Sequence, residues 1–164
     1  MSLQEFLQTL VESLSEEIKI LYSDRLVSLA VFGSVGRGTA TAESDIDLLI
    51  IATDLPSGRI KRVSEFASVE SKLQHDLEEL KRRGIYPCFS SVIKTPEEVL
   101  SGSPLFFDMI FDSLILYDKE RFFETFLAHL KERLDQLGAK RIVQGDRWYW
   151  DLKPDYRTGQ VFEI

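Results

Sequence analysis

The chain has 164 residues, 44% hydrophobic and 29% charged, with a formal net charge of −7. That length suits a single domain with a substantial core, and no apolar run approaches the roughly 18–20 residues that span a bilayer. The acidic balance argues against a nucleic-acid partner, because a grip on a phosphate backbone needs a basic surface.

The start, Met1-Ser2-Leu3-Gln4-Glu5, lacks the basic segment and apolar block of a signal peptide. With Cys88 as the one cysteine, no intrachain disulfide is available and a cytoplasmic location is expected. Residues 2–22 read as an amphipathic helix. Ser2 and Glu5 have capping-box spacing, and Phe6, Leu7, Leu10, Leu14, Ile18 and Leu21 recur at helical steps. Leu26–Phe32 reads as the first core strand. Residues 33–38 hold three glycines, each costing a helix about 1 kcal/mol, so a long helix is excluded and close approach to a ligand is the better use. Gly33-Ser34 is expected to open a short helix. Residues 45–53 form the second strand, and the unbroken Leu48-Leu49-Ile50-Ile51 indicates cover on both faces.

After a turn at 54–58, one long helix is predicted from Arg59 to about Arg83, stopped by Gly84. Ile60, Val63, Phe66, Leu73, Leu77 and Leu80 mark its apolar side. Arg59, Lys61 and Arg62 in its first turn oppose the helix dipole; they read as a solvated surface or as an attraction for phosphate. A third strand spans 85–94, its first part at an edge or bulge because of Pro87. Thr95-Pro96-Glu97-Glu98 starts a helix. Short helix 105–111, strand 113–117 and amphipathic helix 119–137 follow, the last stopped by Gly138. Residues 141–164 carry Trp148-Tyr149-Trp150 and read as an ordered tail. Its aromatics either cover the core or present an aromatic wall to a base or a dimer partner. His75 and His129 lie far apart in helical patterns, so a zinc site is not expected.

The chemistry concentrates in residues 31–50. Asp45 and Asp47 are two apart at the start of a strand, so both carboxylates face one way. Such a pair repels itself unless a cation intervenes, and oxygen ligands suit Mg²⁺ or Mn²⁺. Upstream, a glycine-started helical turn aims backbone N–H groups at an anion. A phosphate cradle followed by a metal-binding pair suggests a nucleoside triphosphate held with its metal.

Gly33-Ser34, Arg37-Gly38 and Ser44-Asp45-Ile46-Asp47 with its apolar tail resemble the signature of the DNA polymerase β-like nucleotidyltransferase superfamily. The resemblance is closest to its small stand-alone prokaryotic members. It implies an α+β fold over residues 1–118, a mixed β-sheet flanked by helices, with a C-terminal helix and aromatic tail (119–164) packed on it. It also implies that Asp45 and Asp47 are the catalytic metal ligands, with Gly33 and Ser34 on the β- and γ-phosphates. Ser44 belongs to the same nucleotide site, and Arg37 either adds charge there or braces the loop. The donor is a nucleoside triphosphate, ATP first, and the acceptor of the NMP unit a small molecule or a protein.

The sequence departs from the family in one respect. A third acidic residue normally comes from a neighbouring strand, yet residues 85–94 contain no Asp or Glu. Ser90 and Ser91 stand in that region, and Glu97 and Glu98 are the nearest acids. A second reading is therefore a catalytically weak, antitoxin-like regulatory module with a protein partner or a homodimer.

Overall fold

A computed structural model describes residues 2–164. β1 (Leu26–Phe32), β2 (Ile46–Ala52), β3 (Phe89–Lys94) and β4 (Leu114–Asp118) form a mixed sheet in the order β3-β2-β1-β4. β1 is antiparallel to both β2 and β4, whereas β2 and β3 are parallel and need a crossover between them. α1 (Leu3–Tyr22), α3 (Arg59–Lys72) and α4 (Gln74–Arg82) cover one face. α5 (Pro96–Leu100), α6 (Leu105–Asp112) and α7 (Phe122–Gln136) cover the other. The mixed sheet with helices on both faces agrees with the α+β expectation.

The parity of β2 explains its apolar run. Ile46, Leu48, Ile50 and Ala52 enter the α1-side core, while Leu49 and Ile51 enter the α6–α7 core. All are fully buried, and each large side chain contributes about 1.5–3 kcal/mol. Asp47 has the parity of Leu49 and lies at the strand start, where the sheet ends and burial falls off.

Capping fixes several helix starts. Ser2 and Glu5 form the expected reciprocal box on α1, and Thr95 and Glu98 form another on α5. Asp118 accepts the backbone N–H groups of Phe123 and Glu124 at 2.9 Å each, which sets the start of α7. Its carboxylate also accepts the Ser28 hydroxyl at 2.6 Å.

Three expectations are corrected. The long helix 59–83 is two helices, broken at Leu73 (φ −91°, ψ 3°), whose N–H is shared between the Val69 and Glu70 carbonyls. Phe66, Val69, Leu73 and Leu80 are buried, but Ile60 is 86% exposed and Val63 40%. The strand 85–94 pairs only from Phe89, after the segment containing Pro87, which has no N–H to donate. The tail contains a β-hairpin, β5 (Lys140–Gln144) and β6 (Arg147–Asp151), turned at Gly145-Asp146.

Arg62 is fully engaged. Its guanidinium holds Glu98 through contacts of 2.6 and 3.0 Å and donates to the Pro56 and Ile93 carbonyls. The basic first turn of α3 thus lies beyond the C-terminal end of β2, opposite the aspartates.

Candidate active site

The C-terminal end of β1 and the N-terminal ends of β2, β3 and β4 meet at one edge of the fold. There β1 runs directly into α2 (Gly33–Gly36), the expected short helix. Gly33 has φ +68°, and a Cβ on it would lie 2.2 Å from Asp47 Oδ2. Glycine is therefore required twice, for its backbone conformation and for the carboxylate packed against it. The N–H groups of Gly33, Ser34 and Val35 open a helix and have no intrahelical carbonyl to meet. They form a small donor cluster beside the carboxylate.

Asp47 pairs across the ladders with Phe32 on β1 and Ser90 on β3. Burial raises its carboxyl above the usual range, and repulsion from Asp45 adds to this. The neighbouring Ser90 hydroxyl and the Arg37 charge pull the other way. Asp45 precedes the strand and is exposed. Ser44 closes a local turn, its hydroxyl accepting the Thr41 N–H at 2.8 Å.

Ser90 occupies the place beside Asp47 where a third carboxylate was sought. Glu97 and Glu98 do not fill it: the parallel register carries β3 from Phe89 beside Ile46 to Lys94 beside Ile51, and both glutamates follow at the far end. That end lies about 16 Å away at 3.3 Å per residue, and Glu98 is occupied by Arg62. Among the described residues, no group of three or more His, Cys, Asp or Glu side chains could hold a metal ion. His75 and His129 are exposed on separate helices.

Sequence reading missed the layer behind α2. A Cβ on Gly36 would lie 2.2 Å from the Asp112 carbonyl oxygen, so α2 rests on the end of α6. The Asp112 carboxylate, only 5% exposed, faces Arg37 at 3.4 Å and Arg141 of β5 at 2.8 Å. The Trp148 ring of β6 lies under both guanidinium groups, 4.9 Å from Arg37 and 4.4 Å from Arg141. The indole N–H groups of Trp148 and Trp150 both donate to Asp108 at 2.9 Å. Trp150 also stacks on Phe111. The tail aromatics therefore cover α6, and Arg37 lies between the Trp148 ring and the Asp112 carboxylate.

A strand thus enters a glycine-started helical turn, and the next strand begins between Asp45 and Asp47. The chain belongs to the nucleotidyltransferase domain family, whose model matches residues 10–144, and it is a nucleotidyltransferase. It is 29% identical over 147 residues to a Methanocaldococcus jannaschii protein named "Putative protein adenylyltransferase", covering 88% of this chain and 95% of that one. The fold resembles a toxin–antitoxin crystal structure with AMP-PNP (19% identity, TM-score 0.51, covering 77% of this chain and 88% of that one). It also resembles a mutant of the toxin–antitoxin MntA-HpeT (20% identity, TM-score 0.52, covering 77% and 87%). Among the described residues, no helix is long and apolar enough to cross a membrane.

Proposed function

We propose that this chain transfers an AMP unit from ATP to a protein acceptor. The observation that carries the reading is the fit of Asp47 against Gly33, which places a partly buried carboxylate beside the free N–H groups of the α2 turn. The relative's name supports adenylyl transfer and a protein acceptor.

In this reading the N–H groups of Gly33 and Ser34 bind the β- and γ-phosphates, and Ser44 shapes the loop that leads to the aspartates. Asp45 and Asp47 would hold Mg²⁺ or Mn²⁺. The donor set fits such a cation: two carboxylates repel each other here, and Mg²⁺ commonly takes one or two carboxylates and completes its shell with substrate phosphates. When bound, the cation supplies charge neutralisation at the triphosphate. The acceptor hydroxyl oxygen forms its bond to the α-phosphorus and gives its proton to solvent, the bond to the bridging oxygen breaks, and pyrophosphate leaves. The chain's own contribution is to align the triphosphate and to present fixed dipoles to its charge.

Ser90 stands beside Asp47 across the ladder, and its hydroxyl takes no proton at neutral pH. A general base typically contributes about 10²–10⁴-fold, so slow turnover follows from its absence on β3. This favours a second reading, an antitoxin-like module that binds nucleotide and a protein partner with little transfer.

The test is incubation with α-labelled ATP and Mg²⁺ in the presence of candidate acceptors. Label should appear on protein, disappear with chelator, and be lost in Asp45→Ala and Asp47→Ala. Unchanged labelling by Asp47→Ala would overturn the assignment. Tight Mg²⁺-dependent nucleotide binding without label on any acceptor would favour the second reading.

A further inference from the structure

The β5–β6 hairpin is remote in sequence from the nucleotide loop, and β6 lies beyond the residues that match the family. Yet three of its side chains converge on the support of that loop. Arg141 binds Asp112 through both terminal nitrogens, at 3.4 and 2.8 Å. Trp148 lies against Arg37, the residue that ends α2, and Trp150 packs on Phe107 and Phe111 of α6. Asp112 is shared: its carboxylate takes Arg37 and Arg141, and its carbonyl oxygen backs Gly36.

We propose that the hairpin is a positioning device for the triphosphate loop, with Arg141 and Trp148 as its positioning residues, acting through Asp112 and Arg37. This rests on the reading that α2 binds triphosphate. The physical argument is one of balance. Arg37 is the residue that ends α2, its backbone N–H donating to the Gly33 carbonyl at 3.0 Å. Without Arg141, the nearly buried Asp112 keeps only the 3.4 Å contact to Arg37. A buried carboxylate that loses a bidentate partner draws its remaining cation closer. Arg37 would then be pulled toward α6, and the turn carrying the Gly33 and Ser34 N–H groups would shift with it. Without Trp148, Arg37 loses the ring face that limits where its guanidinium can lie. The hairpin thereby links the C-terminal part of the chain to phosphate affinity.

The experiment is calorimetric titration of the full chain with Mg²⁺ and AMP-PNP, with circular dichroism to establish folding. Arg141→Ala and Trp148→Ala should each weaken binding about tenfold. Arg141→Lys, which keeps charge but loses the fork, should be intermediate. Transfer should show a raised KM for ATP with kcat changed much less. Trp148 and Trp150 are the only indoles in the chain, so the Trp150→Phe protein reports on Trp148 alone. Its emission should shift saturably with nucleotide, which serves as the test if the alanine variants fail to fold. Wild-type binding with folded variants of unchanged affinity, or a Trp148 emission blind to bound nucleotide, overturns the positioning role and leaves the nucleotide site standing. No binding by the wild type overturns the nucleotide reading, and the positioning role with it.

Discussion

Gly33→Ala tests the geometry at the centre of the site. The substitution has two separable costs. Alanine at φ +68° enters the left-handed region, at about 1–2 kcal/mol. The new Cβ would also begin 2.2 Å from Asp47 Oδ2, 3.2 Å from its Cγ and 3.5 Å from its Cβ. The carboxylate is the end of a side chain and can yield, retreating by about 1 Å to reach ordinary contact. The stability loss should therefore stay near 1–2 kcal/mol in urea unfolding, dominated by the backbone. Transfer is more sensitive, because a misplacement of about 1 Å in a reacting constellation can cost on the order of 100-fold. Gly36→Ala reverses the pattern. Its Cβ would meet backbone oxygens of Asp112 and Val31 at 2.2 and 3.0 Å, which cannot rotate away, so destabilisation of about 1–3 kcal/mol or more is expected. The assay pairs denaturant unfolding with labelled-ATP transfer on the same preparations. A Gly33→Ala protein with wild-type transfer would refute the claim that Asp47 must lie against the loop.

Two further predictions separate function from stability. The Asp47 carboxyl is raised from its ordinary value of 3.8, so Asp47 favours the folded state below the unfolded value and loses that contribution as pH rises through the folded one. Near neutral pH the wild type carries this penalty. Asp47→Asn should abolish Mg²⁺-dependent nucleotide binding while leaving Tm equal or higher, with the difference closing on acidification; a large loss of Tm at neutral pH would contradict it. Glu98 behaves oppositely: its hydrogen bond from Arg62 lowers the carboxyl below its ordinary 4.5, so its contribution is present above that value and fades as pH falls through the folded one. Glu98→Gln should cost about 0.5–1.5 kcal/mol at neutral pH, discounted for its exposure, and leave transfer untouched because it lies at the far end of the sheet. A drop in transfer by the folded variant would contradict that placement.

Local physics was legible in the sequence, and long-range physics was not. The boxes at Ser2–Glu5 and Thr95–Glu98 lie within one helical turn, and both form as their spacing predicts. Gly33 was readable because backbone conformation is a local property. The break at Leu73 was not, since no glycine or proline marks it and burial of Leu73 and Leu80 selects the bend. The hairpin does carry a local signal, Gly145-Asp146 between two apolar-containing runs, with the strands pairing on either side of it. Arg37 and Asp112 are 75 residues apart, a separation that no motif spans. Glu97 and Glu98 were weighed for nearness in sequence, whereas the parallel register puts them at the wrong end of β3.

The engagement of Arg62 with the Ile93 carbonyl also bears on how the molecule behaves when concentrated. β3 is an outer strand of the sheet, and a bare outer strand offers a row of backbone groups on which another chain can add its own. Here a guanidinium reaches one of those acceptors, anchored by Glu98 and the Pro56 carbonyl, with Lys94 beside it. An incoming strand would have to displace a charge that is already satisfied. The contact that ties α3 to α5 thereby also occupies one outward acceptor of the edge strand.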